Sequence, residues 1–201
     1  MESYYSEKGP HPVWKIWLKT QEVIAERISN TSKKQMFMLL VIYGLAFSLD
    51  NASIRNMGER HEFPILLIVC AIVAPLAGLF TWFIGSAVLH GMSRLLGGTG
   101  SFKETRTALA WATVVYSAKL VIWVPQLLLY GRMMFTEQIP AGFLLIPFLL
   151  LSLLDTVLSI WYIVVVAKSM AEAHRLPLLR GFGTVIIPVA LIILFRLIVT
   201  A

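Results

Sequence analysis

The chain has 201 residues, of which 58% are hydrophobic and 14% are charged, and its formal net charge at pH 7 is +6. Because about a quarter of the residues in an average soluble domain are charged, this composition excludes an ordinary soluble globular protein. The apolar residues form long runs, most of which reach the roughly 20 residues that a helix needs to cross a bilayer. The sequence therefore predicts an all-α fold, a polytopic membrane bundle.

The N-terminal segment, residues 1–34, is polar and basic and lacks the apolar core of a secretory signal peptide. Residues 1–12 are expected to be irregular. Residues 13–28, VWKIWLKTQEVIAERI, repeat apolar side chains at helical spacing but are too short to span. Two tryptophans and basic flanks are typical of a helix in the membrane interface, and a helix packed against the bundle is an equal alternative. Both interpretations place Trp14 and Trp17 on the buried side.

Five apolar runs follow, and each predicts one transmembrane helix. The first run is the shortest, and it spans only if the polar stretch 50–53 lies at the far interface. Four runs contain a proline, which removes a helix hydrogen bond, so we expect kinks near these positions. The predicted spans are 35–53, 65–89, 107–130, 142–167 and 184–200, and the prolines are Pro75, Pro125, Pro147 and Pro188.

The second predicted span carries small residues along one stripe, and such a stripe usually marks close helix packing. The same span holds the only cysteine, Cys70, so the chain cannot form an internal disulfide. The small residues are Ala74, Ala77, Gly78, Gly85 and Ser86.

Lysine and arginine are distributed unevenly between alternate connections. The N-terminal segment and the connections 90–106 and 168–183 carry twelve of the seventeen, whereas the loops 50–64 and 131–142 carry three. Because positive residues are retained inside, we expect a cytoplasmic N-terminus and, after five spans, a C-terminus outside the cell. The positive net charge is then explained by attraction of these segments to the anionic inner surface of the membrane. It does not indicate nucleic-acid binding, since no aromatic-interleaved basic surface accompanies it.

The connection after the second span contains a glycine-rich stretch, GGTGSFKE, at 97–104. A nucleotide-binding loop is disfavoured, because the lysine spacing does not fit and a membrane span rather than a strand precedes the stretch. Ser101 and Glu104 match a capping box that begins a helix, and the glycines allow a tight reversal. We expect a rigid cytoplasmic hairpin, and a lipid phosphate on its exposed amides stays an alternative.

The stretch 97–111, GGTGSFKETRTALAW, resembles the signature of bacterial members of the Yip (Ypt-interacting protein) family of five-span membrane proteins. Residues 13–19, VWKIWLK, are similar to the family's N-terminal tryptophan segment, and residues 161–181 resemble its fourth span and the following turn. The resemblance implies a binding or assembly role with no catalytic residues and no cofactor. Eukaryotic relatives are partners of Rab-type GTPases, and some bacterial members are linked to ABC-type exporters or to envelope-stress and toxin resistance.

The leading hypothesis is therefore a non-enzymatic accessory protein of the cell membrane that docks or helps to assemble a membrane complex, such as an exporter. Besides the lipid bilayer, a second copy of the chain is a further expected partner, which would make the protein a homo-oligomer. The docking face would combine the glycine loop, the turn after the fourth span and the interfacial helix. Its expected residues are Gly97, Gly98, Gly100, Ser101, Phe102, Lys103 and Glu104 in the loop, Glu172, His174 and Arg180 in the turn, and Trp14 and Trp17 in the helix.

Four charged side chains fall inside the predicted spans. Because a charge at the bilayer centre costs roughly 3 kcal/mol or more, such side chains usually face the bundle and pair. We predict that Lys119 pairs with Asp155 and that Asp50 pairs with Arg196. A buried structural pair is one interpretation, and a polar pocket that makes the protein a small transporter or channel is the alternative. Lys119 shares a helix face with Tyr116, Trp123 and Gln126, and Asp155 shares one with Ser152, Ser159 and Tyr162.

The remaining candidates for chemistry are histidines. Ser86 and His90 are four residues apart, but a nucleophilic pair needs an orienting carboxylate and an oxyanion site, and neither is evident. His90, Glu172 and His174 lie near the same ends of their spans, where a metal site is conceivable. Packing roles are favoured for all of them, and no metal is predicted.

Overall fold

The computed structural model describes residues 11–200, so most of the segment expected to be irregular lies outside the described residues. No strand occurs in the described part, and five helical segments are long and apolar enough to cross a membrane, as predicted. In chain order the helices are α1 (Pro12–Lys15), α2 (Thr20–Asn30), α3 (Lys33–Ile54), α4 (Phe63–Leu95), α5 (Phe102–Ser117), α6 (Lys119–Tyr130), α7 (Leu145–His174) and α8 (Leu178–Thr200).

The five spanning segments are α3, α4, the α5–α6 pair, α7 and α8. We call the end of the bundle that carries the α4–α5 connection the loop end, and the opposite end the far end. The α3–α4 and α6–α7 connections lie at the far end, and they contain one and two short 3-10 turns, respectively. In α7 and α8 almost none of the most apolar part is buried within the protein, which leaves these helices as the natural lipid contact.

The N-terminal segment forms two helices instead of the single one predicted over 13–28. Of these, α2 packs against α5 and α7 and buries Val23 and Ile24, which agrees with the bundle-packed alternative. The expectation for Trp14 is wrong, because its side chain is 73% exposed. The reason is that α1 ends after one turn, and Ile16 rather than Trp14 is the residue buried there. Trp17 is half-buried against the core.

Close packing of α3 on α4 uses the small-residue stripe. A Cβ atom on Gly44 would overlap the carbonyl oxygen of Ala74, and one on Gly78 would overlap the carbonyl oxygen of Leu40. Small residues permit such contact between backbones inside a membrane, where helix association depends on packing. The seam fixes the position of α3, which carries Asp50 less than two turns beyond Gly44.

The third spanning segment is interrupted at Ala118, where α5 ends and α6 begins. The backbone at Ala118 stays right-handed (φ −62°, ψ −20°), so the chain continues in nearly the same direction. The interruption precedes Pro125, which lies inside α6. It separates Tyr116, near the end of α5, from Lys119, the first residue of α6.

The other span prolines differ in their positions. Pro75 and Pro188 lie inside α4 and α8. Pro147 falls in the first turn of α7, because that helix begins at Leu145. A first-turn proline sacrifices no internal helix hydrogen bond, so the expected reason for a kink is absent there.

Candidate functional site

Asp50 is the centre of a polar cluster inside the bundle. Its carboxylate accepts hydrogen bonds from the hydroxyl of Tyr116 (2.5 Å), the ammonium of Lys119 (2.5 Å) and the indole N–H of Trp123 (2.9 Å). A buried carboxylate requires such donors, because an unpaired charge away from water is strongly disfavoured. The three donors come from α5 and α6, on either side of the interruption at Ala118.

Lys119 joins two carboxylates. Its ammonium lies 3.1 Å from an oxygen of Asp155 on α7 as well as against Asp50, and the residue is only 4% exposed. The structure thus brings Lys119 and Asp155 together. The expected pairing of Asp50 with Arg196 is corrected, since Asp50 faces α5 and α6, whereas Arg196 is exposed on α8, which packs against α4 and α7.

The two carboxylates are satisfied to different degrees. Asp50 has three donors, and its side chain is 11% exposed. Asp155 has Lys119 as its partner among the described residues, and its side chain is 29% exposed. With all three groups ionised, the cluster carries one surplus negative charge. That charge is least compensated at Asp155.

A cavity of about 470 Å³ adjoins the cluster. It lies toward the far end, because its lining includes the last residues of α3 and Met134 from the α6–α7 connection. Gln126 also lines it, is 4% exposed, and has an amide that makes no hydrogen bond to a described residue. The lining is mixed, with polar Ser152 and Asp155 and apolar Ile54.

The glycine loop begins with a Schellman motif at the end of α4. The N–H of Gly98 donates to the carbonyl of Ser93 (2.8 Å), and the N–H of Gly97 donates to that of Arg94 (3.1 Å). This motif requires a left-handed residue, and Gly97 has φ +90°. The side chain of Arg180 donates to the carbonyl of Leu96 at the same helix end (3.2 Å).

The loop then lies directly on the end of α7. A Cβ atom on Gly100 would overlap the carbonyl oxygen of Ala173, and the N–H of Thr99 donates to the carbonyl of His174 (3.1 Å). Because the amides of Gly97, Gly98 and Thr99 are all used inside the protein, the alternative of a lipid phosphate on exposed loop amides lacks support.

The predicted capping box is present at the start of α5. The N–H of Ser101 donates to the carboxylate of Glu104 (2.5 Å), and the N–H of Glu104 donates to the hydroxyl of Ser101 (3.2 Å). The same carboxylate lies 3.3 Å from the guanidinium of Arg175 in the α7–α8 turn. Phe102 turns inward and stacks edge-on against His90, whereas Lys103 is exposed.

His174, expected in the docking turn, is instead the last residue of α7 and is fully buried beneath Gly98 and Gly100 of the loop, so it presents no surface to a partner. Its ring bonds the hydroxyl of Thr105 (2.8 Å), which also bonds the ring of His90 (3.1 Å) and donates to the carbonyl of Ser101 (3.0 Å). The hydroxyl has one proton, so donation to Ser101 makes both rings donors toward Thr105. Glu172 is half-buried and completes no three-residue metal group with them in the described part of the chain.

Sequence reasoning missed the role of Thr105. Its position in the first turn of α5, four residues after Ser101, gives no signal that it will join two histidines from other helices. Ser86 and His90 do not form the pair considered for them. The buried hydroxyl of Ser86 has no hydrogen-bond partner among the described residues, and His90 bonds Thr105 instead.

The model of the Yip1 domain family matches residues 20–199. The match extends from the first residue of α2 almost to the end of α8, so it includes the glycine loop and the polar cluster. No curated protein and no solved structure shows a significant match to the chain.

Proposed function

Since the chain belongs to the Yip1 domain family and is a multi-pass membrane protein, we propose that it is a non-enzymatic accessory protein whose loop end docks a membrane partner. The partner is a membrane complex such as an ABC-type exporter or a system for envelope stress or toxin resistance. The protein resides in the plasma membrane, with the N-terminus and the loop end in the cytoplasm.

The observation that carries this proposal is the set of contacts that fixes the conformation of the loop end. Backbone contacts hold Gly100 on Ala173, and the ion pair between Glu104 and Arg175 ties the loop to the next turn. A surface whose conformation is fixed in advance loses little entropy when a partner binds. The backbone that carries the exposed Lys103 is therefore held in place before any partner arrives.

The composition of this surface also supports a docking role. Two exposed leucines at this end, Leu95 and Leu179, are sequence neighbours of the exposed arginines Arg94 and Arg180. Apolar side chains flanked by arginine are typical of protein interfaces. The cytoplasmic placement rests on the excess of lysine and arginine in the segments of this end.

Affinity purification after mild cross-linking in the native membrane tests the proposal. Lys103→Glu reverses a charge that has no contact with other described side chains, so the fold should be retained. We expect it to lower recovery of a stoichiometric partner by about tenfold, which corresponds to about 1.4 kcal/mol of binding free energy.

Lys34→Glu is the matched control, because Lys34 is also exposed and lies in the first turn of α3 at the same end. Mass spectrometry would quantify the partner in both preparations. Equal recovery with the two variants, or a pure preparation without a partner, would contradict docking at the glycine loop.

The polar cavity favours a second candidate function, a small transporter or channel that uses Lys119 and Asp155. Charged groups inside membrane spans are costly and commonly mark paths for ions or substrates. The cavity of about 470 Å³ beside Asp155 is the observation that supports this alternative. Flux through proteoliposomes distinguishes it from docking, since a docking protein has no need of transport activity.

A further inference from the structure

We propose that the cavity beside Asp155 binds a small organic cation, with an ammonium group on the carboxylate and an apolar body in the remainder of the cavity. This inference goes beyond docking at the loop end, and it requires binding only. It remains valid if the protein moves nothing across the membrane.

The first argument is the sign of the charge. Lys119 is bound by Asp50 and Asp155 together, so its ammonium is already compensated. Both oxygens of Asp50 accept hydrogen bonds from its three donors, whereas one oxygen of Asp155 has no hydrogen-bond partner among the described residues. An incoming ligand therefore meets a free carboxylate oxygen, and a cation is the ligand that it attracts.

The second argument is the amide of Gln126. The residue is 4% exposed and lines the cavity, and its amide makes no hydrogen bond to a described residue. Buried polar groups in folded proteins nearly always have a partner. A ligand whose donor groups reach this amide would supply the missing hydrogen bond.

The third argument concerns the size and lining of the cavity. Its volume, about 470 Å³, lies within the range of small-molecule sites. Ile54, Met134 and Phe148 provide an apolar wall, and aromatic faces also attract organic cations.

A hard metal cation fits less well than an organic one. Calcium requires six to eight oxygen ligands, and magnesium requires near-octahedral oxygen coordination. Besides one free carboxylate oxygen and one amide, the cavity offers only neutral hydroxyl groups, such as that of Ser152, and no group of three His, Cys, Asp or Glu side chains that could hold a metal occurs among the described residues. An ammonium on an apolar body needs only a few acceptors and an apolar wall, and both are present.

Binding of three probes with one carbon skeleton tests the inference. The full-length protein in nanodiscs would be titrated with 2-phenylethylammonium, 2-phenylethanol and phenylacetate by isothermal calorimetry, with empty nanodiscs as the blank. We expect saturable binding of the ammonium probe, with at least about tenfold higher affinity than the alcohol, and no saturable binding of phenylacetate. Equal binding of the alcohol or the anion, or no saturable binding of the ammonium probe, would overturn the proposal.

Two variants locate the site. Asp155→Asn should weaken binding of the ammonium probe by about tenfold, whereas Glu172→Gln, the same change elsewhere on α7, should leave it unaltered. If Asp155→Asn fails to fold, Gln126→Met replaces it, because the Gln126 amide makes no hydrogen bond to a described residue that the substitution would remove. A Gln126→Met variant with wild-type affinity would overturn the proposed site, and none of these results bears on docking at Lys103.

Discussion

Lys119 contacts carboxylates from two other helices inside the bundle. A substitution that removes its charge therefore tests how three spans pack together. Losing one member of a buried ion pair is strongly destabilising, because the opposite charge stays buried without compensation. Here the loss would leave Asp50 and Asp155 facing each other without a cation. The cluster therefore fixes the register of α3, α6 and α7.

Lys119→Met should lower the free energy of unfolding by about 3 kcal/mol, the lower end of the range for a broken buried pair. Unfolding in mixed micelles with increasing SDS would measure it. Lys103→Met is the control, because it removes an exposed lysine from the same spanning segment. Adding Asp50→Asn to Lys119→Met should restore part of the stability, and a Lys119→Met protein as stable as wild type would show that the pairing has no structural role.

Much of this cluster could be predicted from the sequence, but not its centre. The sequence alone shows that Lys119 and Asp155 each share a helix face with other polar side chains, and the structure brings these two residues together. The partner of Asp50 depends on how α3 lies against α5 and α6, which no local pattern specifies. The predicted pairing of Asp50 with Arg196 is wrong for the same reason. It is based on the similar depth of the two residues in the membrane, and depth alone does not select a partner.

Among the elements, the glycine loop is the one whose own sequence most constrains its local structure. The capping box follows from the four residues Ser101 to Glu104 alone, and it is present as predicted. The need for glycine at position 100 comes instead from the backbone of α7, which lies far away in the sequence. Local chemistry thus predicted how α5 begins, and only the fold shows what the loop touches.

Gly100→Ala should destabilise the protein by about 1–3 kcal/mol, the usual cost of inserting a methyl group into a closely packed site. The added Cβ atom overlaps the carbonyl oxygen of Ala173, so the loop must move away from α7. Thermal unfolding in detergent would measure the loss. Gly91→Ala is a matched control, since Gly91 lies in a helix, α4, and a Cβ atom added there would contact no other atom.

The control should be neutral or slightly stabilising, because alanine is favoured over glycine within a helix by roughly 0.5–1 kcal/mol. If both variants unfold at the same temperature, the contact between the loop and α7 contributes nothing. The docking surface would then lack the rigidity on which its proposed role depends.

Other elements differ from their sequence-based predictions because tertiary contacts override local pattern. The periodicity over 13–28 predicted one helix, but the segment divides into α1 and α2, with Ile16 buried between them. The run 107–130 predicted one continuous span, yet it is interrupted at Ala118, between two donors to Asp50. Neither position carries a glycine or a proline that would mark a break.

For the whole molecule, hydropathy predicted five spanning segments, and all five are present. Their mutual arrangement was not predictable, because helices that contact lipid are apolar on most faces and so do not reveal which face packs. The helices also continue beyond the apolar runs at the loop end, among them α4 and α7. The polar last turns of these two helices form the platform for the glycine loop.

The central claim is that the loop end is the cytoplasmic face of this bundle, and sided cysteine labelling tests it most directly. Lys103→Cys marks the loop end and Gln138→Cys marks the far end, both at exposed positions, whereas the native Cys70 is buried. With a membrane-impermeant maleimide on intact cells, Gln138→Cys should be labelled, and Lys103→Cys should be labelled only after permeabilisation. The reverse pattern would place the loop end outside the cell and contradict docking to a cytoplasmic face.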